Sequence, residues 1–313
     1  MEIEGLKKEL LGPYQVRKTD RQKTAFIDWA CACARDMEIP VAVEESGKHI
    51  RSRNIVFGDV DRARVILTAH YDTCARMLVP NFSTPGCLPL FVLEQTILTL
   101  MIVLGGVLAG NGMQAMLAPN MHPLAAGMIS WMAGFTGAGL VLLVMLAGPA
   151  NEHTANDNTS GVLLVLLAMQ RFKDKPGVAY VLFDNEEKGL FGSQAFIKAH
   201  PQAARRCLIN FDCVGDGDTM LYTGMKGGMR MPQAKRLLAA MEEIAPKYGM
   251  KTVSGEFPKW IYPSDQMLFP RGTAFAALKG SKVLYMDRIH TARDTVLEER
   301  NIECLLEVLE RSM

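Results

Sequence analysis

Five short segments concentrate histidine and carboxylate side chains: TAHYDT at 68–73, NDNTSG at 156–161, FDNEEKGLFGS at 183–193, NFDCVGDGD at 210–218 and IHTARDT at 289–295. Imidazole and carboxylate are the ligand types that hold zinc in hydrolytic sites, and five such groups suit two ions sharing one bridging carboxylate. Taken singly, each segment has an ordinary reading: an HxD pair on a surface, a Glu-Glu pair in a solvated turn, an Asp capping a turn. The set carries the inference. Adjacent Glu186 and Glu187 cannot easily face one ion from an extended strand, but from a turn one can ligate while the other reaches the attacking water. Asp72, two residues beyond His70, can hold the second nitrogen of that imidazole. There is no GxSxG elbow, P-loop or HExxH in the sequence, so metal-assisted hydrolysis is the chemistry left.

Such groups need a scaffold that delivers them to one place. Continuous apolar runs read as buried strands at Val65–Ala69, Val178–Phe183, Leu208–Phe211, Thr219–Tyr222, Ala274–Leu278 and Val283–Tyr285. Helical patterning covers Gln22–Asp36, Val162–Met169, Pro232–Tyr248 and Val296–Arg311. Strands alternating with helices predict an α/β fold, a mostly parallel mixed sheet flanked by helices. The polar segments fall at strand ends and in loops, where open α/β sheets build their sites.

One stretch departs from this pattern. Residues 88–147 contain a single carboxylate, Glu94, and no lysine or arginine. Two apolar halves, Leu88–Gly110 and Leu124–Ala147, each reach the ~20 residues that a bilayer span requires, and Asn111–Pro123 between them is rich in turn residues. The expectation is an inserted two-helix transmembrane hairpin, 88–147, interrupting one discontinuous catalytic domain formed by 1–87 and 148–313. Gly127, Gly134, Gly137 and Gly139 would allow close helix packing. Basic residues flank the hairpin and are missing from its loop, so the positive-inside rule puts the catalytic domain on the cytoplasmic face of a lipid bilayer. The alternative is a soluble cytoplasmic protein in which the hairpin is an oligomerisation arm of a homo-oligomer.

The 34 Lys and Arg against 33 Asp and Glu leave a formal net charge of +1, so no global field draws nucleic acid and no nucleic-acid partner is expected. The seven cysteines include no CxxC pair and read as reduced thiols. No secretory signal pattern is visible at the start of the sequence, which predicts that the chain begins in the cytoplasm.

In their order, HxD, NDNxSG, EExGLxGS, a post-strand Asp and HTxxDT, the segments resemble the aminopeptidase Y family of two-zinc peptidases, whose relatives include leucyl-type aminopeptidases, glutamate carboxypeptidase and glutaminyl cyclase. The resemblance implies a zinc-exopeptidase fold and two Zn2+ ions, with Co2+ or Mn2+ as substitutes. It implies His70 and Asp212 on one ion, Glu187 and His290 on the other, and Asp157 bridging. Glu186 is then the general base, Asp72 orients His70, and Asp294 matches the acid of the last motif. The expected substrate is a peptide with a free N-terminus. A carboxypeptidase or other amidohydrolase, a single-zinc cyclase, or an inactive membrane scaffold are the alternatives. Two features depart from the family: the hairpin separates His70 from Asp157, which puts the insertion at the rim of the site, and Ser264-Asp265-Gln266 has Gln where the family has His. Tyr262 beside that segment is an expected oxyanion donor.

Overall fold

The computed structural model describes residues 2–48, 50–77 and 81–313. Its strands are β1 (Val41–Ser46), β2 (Ser52–Phe57), β3 (Val65–His70), β4 (Val178–Phe183), β5 (Cys207–Phe211), β6 (Thr219–Gly224), β7 (Lys251–Glu256), β8 (Gly272–Gly280) and β9 (Leu284–Tyr285). The helices are α1 (Ile3–Leu11), α2 (Asp20–Asp36), α3 (Leu88–Leu117), α4 (Pro123–Ala147), α5 (Gly161–Arg171), α6 (Phe191–Ala199), α7 (Lys226–Met229), α8 (Pro232–Ile244) and α9 (Glu299–Ser312).

The sheet runs β1-β2-β4-β3-β5-β8-β6-β7, with β9 paired to β8. Its centre, β4-β3-β5-β8, is parallel, while β2 meets β4 and β6 meets β8 antiparallel. The mixed sheet expected from sequence is present, parallel through its middle and again at the β6-β7 edge. Successive residues of a strand point to opposite faces, and β3 shows the consequence. Leu67 and Ala69 enter a core shared with α1, α2, α5, α8 and α9, whereas Ile66 enters a second core with Phe196 of α6 and Phe269. Covering both faces is why β3, β4 and β5 read as unbroken apolar runs.

The polar strands β1 and β7 and the charged-start helix α1 carry weak apolar signals and were outside the sequence expectation. The predicted helix 232–248 ends at Ile244 and tightens into a 3-10 turn at Ala245–Tyr248, because Pro246 cannot continue the α-helical ladder. Thr19 and Gln22 form a capping box that fixes the start of α2.

The insertion forms an antiparallel pair of helices. α3 continues through Asn111 and Gly112 to Leu117, so the turn is shorter than predicted and is set by Pro119 and by Pro123 at the first position of α4. At 30 and 25 residues, α3 and α4 are about 45 and 38 Å long at 1.5 Å per residue; both are long and apolar enough to cross a membrane. A Cβ on Gly106 would lie 2.9 Å from the Gly134 carbonyl oxygen, and one on Gly137 would lie 2.5 Å from Ala109 Cβ. Close packing therefore uses Gly134 and Gly137 as expected, but Gly127 and Gly139 face open space, and α3 contributes Gly105, Gly106 and Gly110 in their place. The outer faces stay bare, with Trp131 and Phe135 each 72% exposed. An apolar surface this continuous requires an apolar neighbour.

The stem of the hairpin is stitched to the sheet domain. Ala75 bridges Ala150 and Ser83 bridges Met286, Ile261 N donates to the Pro85 carbonyl at 2.9 Å, and Phe82 stacks on Tyr285.

Candidate metal centre

His70 is the last residue of β3, Asp212 follows β5, and Glu186 and Glu187 lie in the turn after β4. These are adjacent parallel strands, so their carboxyl ends converge. Asp157 lies in the buried turn Ala155–Ser160 that leads into α5, and His290 in the loop beyond β9.

The structure brings all five together. His70 Nε2 is 3.3 Å from Asp157 Oδ1 and 3.5 Å from Asp212 Oδ1. His290 Nε2 is 2.9 Å from Asp157 Oδ2 and 3.4 Å from Glu187 Oε2. Asp157 thus offers one oxygen to each histidine, and each histidine has one further carboxylate. His70, Asp157 and Asp212 form one group able to hold an ion; Cys74, Glu187 and His290 form a second. The Cys74 thiol was not among the expected groups. Asp157 Oδ1, Asp212 Oδ1 and Glu187 Oε1 are buried without hydrogen-bond partners. Orphaned carboxylate oxygens are costly in a protein interior unless a cation faces them, so these residues fit the metal that the motifs imply.

The titration behaviour of the groups follows from this crowding of negative charge. Burial opposes a charged His290, but Glu187 and Asp157 outweigh it and raise its pKa to about 10. His70 is likewise buried, and Glu186, Asp157 and Asp212 carry it well above its ordinary value. Burial pushes Glu186 far above the usual carboxylate range, the effect resisted by His70 and reinforced by Glu187. The pocket demands positive charge, which protons supply when metal does not.

Neighbouring groups hold these side chains in place. His70 Nδ1 meets the backbone carbonyl of Asp72 at 3.1 Å, while its carboxylate lies 3.7 Å away. That carboxylate accepts from the backbone N–H groups of Glu186 at 3.0 Å and Glu187 at 3.3 Å. Asp72 therefore orients His70 chiefly through its main chain and fixes the Glu186-Glu187 turn with its side chain. Asp294 accepts from Asn156 N at 2.7 Å and Asp157 N at 3.0 Å, clamping the loop that carries Asp157. Three residues at the site take left-handed backbone conformations that cost a non-glycine residue free energy: His290 (φ 59°), Cys213 (φ 53°) after Asp212, and Asn185 (φ 54°) before Glu186.

Two buried cations beneath the site were not anticipated. Arg17, fully buried, donates to the carbonyls of Tyr71 at 2.5 Å and Tyr14 at 2.6 Å and to Thr159 Oγ1 at 3.1 Å; burial lowers its pKa to about 10. Lys23 pairs with Asp184 and donates to Asn185 Oδ1 at 2.8 Å. Nothing in a linear sequence marks a lysine on an amphipathic helix as interior.

Tyr262 lies in the wall of the cavity over the five groups, and its hydroxyl donates to the Asp212 carbonyl at 3.0 Å. Gln266, in the place of the family's His, donates to the Tyr262 carbonyl at 2.7 Å and accepts from Asn210 at 3.2 Å. It acts as a buried brace. Its neighbour Asp265 has both carboxylate oxygens unpartnered, and burial raises its pKa to about 7.

Over the five groups lies a cavity of about 220 Å³ whose walls include Met286, Ile289 and one face of α3. The sequence matches peptidase family M28 over residues 143–303, just over half of the chain, a span that takes in Asp157, Glu186, Glu187, Asp212 and His290. The chain belongs to peptidase family M28. This M28 chain is a metallopeptidase by family. No curated protein is a significant match. Among solved structures it is similar to a Zn-dependent exopeptidase from Parabacteroides distasonis (TM-score 0.63, 14% identity, covering 98% of this chain and 96% of that one). It is similar also to the glutaminyl cyclase of Porphyromonas gingivalis (0.61, 16%, 99% and 97%) and to a leucine aminopeptidase precursor from Bacteroides thetaiotaomicron (0.61, 12%, 99% and 96%). At such identities the likeness establishes the M28 fold, a mixed sheet flanked by helices.

Proposed function

We propose that this protein is a two-zinc aminopeptidase that removes N-terminal residues from peptides at a membrane surface. The observation that carries the reading is Asp157, whose two oxygens point to His70 and His290, each accompanied by its own further carboxylate. Two ligand sets sharing one carboxylate favour two ions over the single ion of a cyclase. His70, Asp157 and Asp212 would hold one zinc, and Asp157, Glu187 and His290 the other. When bound, the ions lower the pKa of a water and polarise the scissile carbonyl.

The remaining work falls to the chain. Glu186, half-buried and held by its backbone N–H on Asp72, takes the proton of the attacking water and returns it to the leaving amine as the C–N bond breaks. The products are a free amino acid and a peptide shortened by one residue. Asp72 and Asp294 position ligands rather than touch substrate. The cavity, about 220 Å³, is smaller than the ~300–1,000 Å³ of typical small-molecule sites, which suits a single terminal residue.

The hairpin spans the bilayer in this reading, with both flanking parts of the chain on the cytoplasmic side, since its loop lacks the basic residues found on either flank. Metal content per chain, measured with hydrolysis of free-amine and N-blocked peptides by wild type and Glu186→Gln, tests the proposal. Two metals, free-amine dependence and a loss of about 100-fold or more in the mutant are expected. One metal with release of a cyclised product would favour a cyclase, cleavage of N-blocked peptides a carboxypeptidase, and no metal an inactive scaffold.

A further inference from the structure

The other carboxylates that line or brace the cavity have occupations: Asp157, Asp212 and Glu187 lie against the histidines, Glu186 is assigned to the attacking water, and Asp72 and Asp294 accept backbone N–H groups; Asp265, whose oxygens are unpartnered, is not part of the cavity wall. One more lines the same cavity. Glu94 comes from α3, together with Phe91, Gln95 and Leu98. The spacing i, i+3, i+4, i+7 makes these four a single helix face turned toward the site, while Val92, Leu93 and Ile97 on the other side are about half exposed (51%, 52% and 47%). Glu94 forms no ion pair among the described residues, and it is the only carboxylate between Leu88 and Ala147.

A charge on an apolar helix is expensive unless it is kept out of hydrocarbon or matched by a cation. The length of α3 solves the first problem. Its ~45 Å exceeds a hydrocarbon core of roughly 30 Å by about ten residues, so Leu88–Ile97 can stand in the interfacial layer beside the cavity. Substrate solves the second. An aminopeptidase substrate enters with one obligatory cation, its α-ammonium group, and no other unoccupied acid on the helical wall is available to receive it.

We propose that Glu94 is the receptor for the substrate's α-ammonium group, and that Phe91 and Leu98 on the same helix face select an apolar first side chain. The inserted hairpin then does more than anchor: it supplies the determinant that limits cleavage to free N-termini of apolar peptides lying at the bilayer surface. The inference rests on the aminopeptidase reading and extends it to a residue outside the family's motifs.

The test uses the full-length protein in detergent, loaded with zinc, and a leucyl arylamide beside its N-acetylated form. Glu94→Gln should raise KM by about ten- to a hundredfold, the loss of one hydrogen bond to a charged group, with the loss falling on KM rather than kcat and metal content equal to wild type. Glu94→Asp should recover part of it. Inhibition by an aliphatic primary amine over the alcohol of the same skeleton should disappear in Glu94→Gln. Unchanged KM and unchanged amine selectivity in that variant, with wild type still requiring a free amine, would overturn the role of Glu94 and leave the aminopeptidase reading intact. Loss of metal in the variant would also overturn it, by making Glu94 part of the metal centre. A wild type indifferent to N-acetylation would instead sink the underlying activity.

Discussion

Replacing Asp294 with Asn separates positioning from ligation, because Asp294 touches the metal centre only through the backbone of Asn156 and Asp157. The substitution conserves shape but leaves one oxygen to accept one N–H, and turns an NH2 group toward the other. One charge-assisted hydrogen bond is lost, about 1.5–3 kcal/mol, and one buried N–H is left unpaired, about 1–3 kcal/mol. Part of this ~2.5–6 kcal/mol appears as a looser Asp157 loop. Since removal of groups that orient metal ligands costs roughly 10–100-fold in affinity, the variant should bind zinc that much more weakly in competition with a chromophoric chelator. Burial and Asp157 raise the Asp294 carboxyl to about 7, so the comparison belongs at pH 8, where it is ionised. Wild-type zinc affinity and unfolding temperature in Asp294→Asn would refute the clamp.

Metal binding should release protons at pH 7, because His290 and His70 are protonated in the metal-free pocket; calorimetry in buffers of different ionisation enthalpy would detect it, and a buffer-independent heat would count against it. The folded pKa of His290 lies above its unfolded value near 6.5. Its contribution to the metal-free protein is therefore complete below ~6.5 and lost as pH rises toward about 10, and unfolding of the apo-protein followed across that window should show the decline. Lys23→Met leaves Asp184 as an unpaired buried charge and should cost ~3–5 kcal/mol in denaturant unfolding; a change under ~1 kcal/mol would mean that Asp184 is neutral. Gly106→Leu meets the Gly134 carbonyl and Ala138 and should destabilise the hairpin in detergent by about 1–3 kcal/mol, whereas Gly139→Leu, facing open space, should not. Equal thermal stability of the two variants would place the helix contact elsewhere.

Chain order alone carried much of this protein. The runs VILTAH and VAYVLF could only be buried strands, their polar sequels had to fall at carboxyl ends, and 60 residues with a single charge had to leave the sheet domain. Local chemistry determines such things, since apolar patterning and proline positions act over a few residues. Tertiary structure decided the rest. That Asp157 faces both histidines depends on three strands and two loops meeting in space. Arg17 and Lys23 became interior because α2 and the segment before it are laid across the site. Tyr262 is tied by a hydrogen bond to the residue that follows β5, fifty positions earlier in the chain. The same contact between distant segments brought Glu94 to the cavity: a lone acid in an apolar stretch reads as an expense in one dimension, and only the folded chain gives it a neighbour that uses its charge.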